Sequence, residues 1–130
     1  MEESLPQLGE ETVRLELPGD SRWVSLLRLT VAGIGDQLNL ATDTIDDLRL
    51  AVTEACRYAM ATRGEGPQRL SVTFRIAADE LEISLLPEGD RGPSATDDDA
   101  DVSLFVVRAV VDDLKVAPHG ELVMRKRVTA

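Results

Sequence analysis

Apolar and polar residues alternate in three places along this chain, and between them runs a longer period. Val13, Leu15 and Leu17 alternate with Arg14 and Glu16, the period of two that marks a half-buried strand, and Pro18-Gly19-Asp20 closes it. Trp23, Leu27, Val31, Ile34 and Leu38 then recur at helical spacing. They predict a helix over about 21–38, capped by Asp20 or Ser21, with Trp23 in the core and Arg28 off the apolar stripe. Gly33 and Gly35 weaken its second half by about 1 kcal/mol each relative to alanine. A second helix is predicted over about 43–63, with Ile45, Leu48, Val52, Ala55 and Ala59 as its stripe. Thr44 and Asp47 resemble a capping box at its start, and Arg63-Gly64 suits its stop.

Leu70, Val72, Phe74 and Ile76 alternate with Ser71, Thr73 and Arg75, and Leu81, Ile83 and Leu85 alternate with Glu82 and Ser84. Joined by Ala78-Asp79-Glu80, they read as a hairpin. Residues 88–101 have the composition of a loop, long for a compact domain, so it is either a functional lid or disordered. Val102, Phe105, Val106, Ala109, Val110 and Leu114 predict a buried helix over 102–114, with the preceding aspartates favouring its N-terminus. A last hairpin turns at Pro118-His119-Gly120, where the lone histidine is a turn residue. The order β-α-α-β-β-α-β-β predicts an α/β two-layer sandwich, a mixed, mostly antiparallel sheet with three helices on one face. A flexible N-terminus over 1–11 and one domain over 12–130 complete the expected organisation.

Composition narrows the function classes. Aromatic residues are only 3% of the chain, so the core must be aliphatic. The net charge of −10 repels phosphates and argues against direct nucleic-acid binding. Cys56 is the one cysteine, which excludes an internal disulfide and reads as a small buried hydrophobe. Met1–Glu11 lacks a basic stretch followed by an apolar run, and no apolar stretch approaches the roughly 20 residues of a membrane helix. A cytoplasmic protein is expected. Asp97 to Asp101 lacks the glycine and final glutamate of a calcium loop, and no metal is expected there.

Four segments carry a family resemblance. Leu27-Arg28-Leu29-Thr30-Val31-Ala32 is similar to the first-helix motif, and Leu50-Ala51-Val52-Thr53-Glu54-Ala55-Cys56-Arg57-Tyr58-Ala59 to the N-box, of the RsbW/SpoIIAB-type anti-sigma factors. Those are serine-protein kinases with the fold of the GHKL ATPases. Leu104-Phe105-Val106-Val107-Arg108 with Val111-Asp112-Asp113 resembles the helix after their lid. The ending from Gly120 to Arg127 suits their last strand, so the resemblance covers about 12–128.

The resemblance implies a nucleotide site, and this chain departs from it. Glu54 matches the base that activates a partner's serine hydroxyl, work that suits a carboxylate. The family's magnesium-binding Asn, four residues on, is Tyr58 here, a poor ligand for a hard cation. The Asp that reads adenine in D-x-G-x-G is replaced by Pro87, which has no side-chain acceptor. Gly89 survives from that motif, the second glycine is Arg91 or shifts to Gly92, and Asp90 or Glu88 would substitute for the Asp only if the loop slipped. Where glycines would open the helix after the lid to phosphates stand Asp101-Val102-Ser103, and the neighbouring aspartates repel a polyphosphate.

The expectation is therefore an anti-sigma factor that sequesters an RNA polymerase sigma factor, with ATP and Mg²⁺ held weakly or not at all. Release would come from a STAS-domain anti-anti-sigma partner. Arg28 matches the family's partner-binding arginine, with Arg22, Asp36 and Gln37 nearby. Two alternatives stand beside it. One is an active kinase phosphorylating the anti-anti-sigma factor with Glu54 as base. The other is a structural module that forms a homodimer, as family members often do, and has no sigma partner.

Overall fold

The computed structural model describes residues 11–61, 69–89 and 98–128. Strand β1 runs over Glu11–Pro18, a 3-10 turn over Ser21–Trp23 leads into helix α1 (Val24–Gln37), and helix α2 follows over Thr42–Ala61. Then come β2 (Arg69–Ile76), β3 (Glu80–Glu88), α3 (Asp98–Val110), β4 (Asp113–Val116) and β5 (Leu122–Arg127). The strands form one five-stranded sheet in the order β1-β2-β3-β5-β4, antiparallel at every pairing.

The alternation seen in sequence becomes two apolar rows across that sheet. Val13, Phe74, Ile83, Met124 and Leu114 stand opposite one another from β1 to β4. Leu15, Val72, Leu85, Leu122 and Val116 form the next row. Side chains two apart share a face, so this pairing gathers every inward residue onto one side. There they join Leu27 and Val31 of α1, Leu48, Val52 and Ala55 of α2, and Val107 of α3 in a single aliphatic core. Cys56 belongs to that core, and its burial pushes the thiol from 9.0 up to about 12. The opposite face carries a row of charge, in which Glu82 sits 3.9 Å from Arg75 and 3.2 Å from Arg125, and Arg125 reaches Asp113 at 3.5 Å.

Several boundaries differ from the sequence reading. Trp23 is not core but 37% exposed, because it falls in the 3-10 turn before α1 and misses the helical phase. The chain is already helical at Thr42, and Ile45 donates to the Ala41 carbonyl, so Thr44 lies inside the first turn and caps nothing. Arg63-Gly64 lies outside the described residues. Glu11 belongs to β1, and Glu88 still belongs to β3. Helix α3 begins four residues early, at Asp98. It also ends early, and Leu114 sits in β4. With that shift the buried face of α3 is Ser103, Val107 and, just beyond its end, Val111, whereas Val102 and Phe105 are 57% and 74% exposed.

Helix α1 stops by a device the apolar pattern does not show. Asn39 adopts φ 57°, Leu40 N–H donates to the Gly35 carbonyl at 2.9 Å, and Asn39 N–H donates to that of Asp36 at 3.2 Å. This is a Schellman ending with asparagine in the left-handed position. The two glycines before it are not equivalent. A Cβ on Gly33 meets nothing within 4 Å, whereas one on Gly35 falls 2.6 Å from Ile45 Cγ1. Gly33→Ala is therefore expected to stabilise the protein by about 0.5–1 kcal/mol. Gly35→Ala is expected to destabilise it by about 1–2 kcal/mol, overpacking outweighing the gain in helix propensity. Urea unfolding of the two variants checks this, and equal shifts would show that Ile45 moves aside freely.

Candidate functional site

Helix α2 supplies the centre of the site. Leu48, Val52, Ala55 and Ala59 bind it to the core, which turns Glu54 toward α3 and Thr53 and Arg57 toward α1. Glu54 is buried, 8% exposed, not the solvent-facing carboxylate that an isolated helix would present. Its Oε1 accepts from Ser103 Oγ at 3.0 Å and its Oε2 from Arg57 Nη1 at 2.8 Å. A buried carboxylate needs partners for its lone pairs, and these two bonds supply them. Ser103 is itself buried, 1% exposed, on the inner face of α3.

Lys126 fixes the far end of α3. It points to the helix side of the sheet, donates to the Val110 carbonyl at 2.9 Å, and lies 3.5 Å from Asp47 Oδ2 of α2. A cation on the last carbonyls complements the negative end of the helix. The spacing of apolar residues gave no sign of Lys126 or of Arg57, although Glu54 and Arg57 sit at the i, i+3 separation that places charges on one helix face.

The other predicted site residues are distributed as follows. Tyr58 is half-buried one turn beyond Glu54 on α2. Pro87 is buried near the end of β3, on the same face as Leu85. Gly89 follows that strand at φ 129°, a conformation that favours glycine over residues with a Cβ. Asp90 and Gly92 lie outside the described residues. Glu88 accepts from Arg69 Nε at 2.8 Å, with Nη2 at 2.6 Å, and the two are directly opposite in the β2–β3 pairing. Glu88 is thus paired through Oε1 with the neighbouring strand.

Arg28, Arg49 and Arg57 border the α1–α2 seam, where Arg49 lies 3.7 Å from Asp46 and Arg57 2.8 Å from Glu54. Arg28 is exposed and makes no ion pair among the described residues. It lines a cleft of about 380 Å³ with Arg57, Ser21, Ser25, Thr53 and Met60. It also faces an adjoining hollow bordered by Leu29 and Arg49, where Leu29 is 68% exposed. Arg22 stands apart, paired with Asp20 at 3.5 Å and lying 5.9 Å from the Trp23 ring. No helix among the described residues is long and apolar enough to cross a membrane.

The magnesium and nucleotide of a GHKL site do not fit these residues well. At the positions that the resemblance assigns to base, metal ligand and adenine contact stand Glu54, with a hydrogen bond within the protein at each oxygen, the phenol of Tyr58 and the ring of Pro87.

Comparison with known proteins agrees with the architecture. Residues 17–126 match the histidine kinase-like ATPase domain family. The serine-protein kinase RsbW of Bacillus velezensis is 28% identical over 126 residues, covering 83% of this chain and 79% of that protein. RsbW of Bacillus subtilis is 26% identical with the same coverage. A crystal structure of the RsbU and RsbW domains of a Mycobacterium tuberculosis protein superposes with a TM-score of 0.59 at 14% identity. It covers 90% of this chain, which spans 32% of that longer one. The wholly antiparallel sheet, the three helices packed on it, the N-box on α2 and the match over 17–126 lead to one conclusion: the chain belongs to the histidine kinase-like ATPase domain family, among relatives of the RsbW type.

Proposed function

We propose that this protein is a cytoplasmic anti-sigma factor that binds and sequesters an RNA polymerase sigma factor, with weak or lost ATP binding, and that a STAS-domain anti-anti-sigma partner releases it. The observation that carries this reading is Glu54 tied between Ser103 and Arg57. A base must be reachable by the hydroxyl it activates, and here the carboxylate is 8% exposed and held by a hydrogen bond at each oxygen, so a partner's serine would have to displace Ser103 or Arg57 to approach it. Tyr58 and Pro87 point the same way, since a bulky neutral phenol is a poor substitute for an amide oxygen on a hard cation and proline has no side-chain acceptor. The partner surface is the one around exposed Arg28, flanked by Leu29, a charged donor beside an apolar anchor.

Two titrations test the reading. Calorimetry with ATP or ADP and Mg²⁺ is expected to give no heat, and melting is expected not to shift at millimolar nucleotide. A sigma factor from the same cell is expected to bind at micromolar concentration or tighter, with Arg28→Ala weakening it tenfold or more. If no sigma factor binds, the reading fails. Micromolar nucleotide binding would favour the kinase instead, a reading to which retention of Glu54 and the serine-protein kinase relatives also lend weight. Transfer of labelled phosphate to an anti-anti-sigma factor, abolished by Glu54→Gln, would establish it.

A further inference from the structure

Arg57 belongs to two neighbourhoods at once. Its Nη1 holds Glu54 on the inner side of α2, and the same side chain, 61% exposed, lines the outer cleft with Arg28. We propose that this cleft takes a carboxylate side chain of the partner protein between Arg28 and Arg57, and that Glu54, pinned by Ser103, positions Arg57 for it. The identity of that partner as a sigma factor rests on the function proposed above; the cleft and its ligand chemistry do not.

The charge balance selects the ligand. Two guanidinium groups less the one carboxylate of Glu54 behind them leave a formal charge of one, which balances a monoanionic carboxylate more closely than a dianionic phosphate. Arg57 has five N–H donors in a planar fork, and the bond to Glu54 uses one of them, leaving its outer edge to pair with a second carboxylate. Met60 offers an apolar wall for the methylene stem of a glutamate. Ser21 adds a hydroxyl at the rim, while that of Thr53 is committed to the Arg49 carbonyl at 2.7 Å. Arg22 and Arg49 are paired with Asp20 and Asp46, so on a chain of net charge −10 the attraction for an acidic side chain at this face rests on Arg28 and Arg57. The N-box glutamate then serves the binding surface by orienting an arginine, a positioning role and not a catalytic one.

The cleft can be tested without a partner. In the full chain, the arginine Nε–Hε resonances would be followed while N-acetyl-glutamate amide is added at constant ionic strength, with N-acetyl-glutamine amide as the neutral control. Arg28 and Arg57 are expected to shift together at millimolar concentration while Arg75, on the far sheet face, stays still. Arg57→Ala should weaken the Arg28 response at least fivefold. Ser103→Ala should displace the Arg57 resonance and weaken the response, and Ser103→Thr should restore both. Absence of a shift, equal shifts at Arg75, or saturation by inorganic phosphate at tenfold lower concentration would overturn the proposal. With a sigma factor that binds, Arg57→Ala should weaken affinity tenfold or more and Arg75→Ala less than twofold, and an unchanged affinity in Arg57→Ala would also overturn it. If the glutamate probe binds and no sigma factor does, the cleft stands and the anti-sigma reading falls. The reverse result removes the cleft alone.

Discussion

Phe74→Ala is expected to lower folding stability by about 3–5 kcal/mol, the usual range for emptying a buried aromatic site. Phe74 is 0% exposed at the centre of β2, between Val13 on one neighbouring strand and Ile83 on the other. It is one of only two phenylalanines, and the other, Phe105, faces outward. Little else in this aliphatic core is large enough to fill the space, and β strands paired on both sides cannot close over it without breaking their ladder. A domain of this kind is stable by about 5–15 kcal/mol in all, so the loss would be a large share. Phe105→Ala, of the same chemistry, is expected to cost less than about 1 kcal/mol, because 74% of that side chain already meets water. Urea denaturation of the pair gives the comparison. Equal losses would mean that Phe105 is covered in solution, for instance by self-association.

Ser103→Ala is expected to cost about 1–3 kcal/mol, the penalty for stripping a hydrogen bond from a buried acceptor. The bond to Glu54 joins α2 to α3, and with Glu54 8% exposed, little water can replace the hydroxyl. A second substitution separates this from simple packing. Ser103→Ala combined with Glu54→Met removes donor and acceptor together, and is expected to recover at least half of the loss, since Arg57 is 61% exposed and can turn to solvent. A double variant less stable than Ser103→Ala alone would mean that the Glu54–Arg57 pair, and not the Ser103 bond, supports this part of the fold.

Much of the fold was legible in the sequence. Alternation of two and recurrence of three to four residues are set by backbone geometry alone, so β1, β2, β3, α1 and α2 were found with their inward residues. Helix α3 was found but misphased. Its valine-rich stretch carries apolar residues on every side, and only packing against α2 shows that Ser103 and Val107 face inward while Val102 and Phe105 do not. Trp23 was misplaced for a related reason, because the helical period was extended across a 3-10 turn that does not share it.

The candidate site divided along the same line. Glu54, Tyr58, Pro87 and Arg28 were picked out as residue types standing in a pattern, and their family positions are what the resemblance assigns to them. What no local pattern contained was the pairing of Ser103 with Glu54, 49 residues apart. The placing of Arg57 against both Glu54 and the Arg28 cleft was equally hidden. The order and type of the elements follow from short-range sterics and the burial of apolar faces, which act over a few residues and leave a periodic trace. The partners of a buried carboxylate depend on how two helices rotate when they pack on one sheet. That rotation is chosen by the whole core at once, and so it belongs to the tertiary structure.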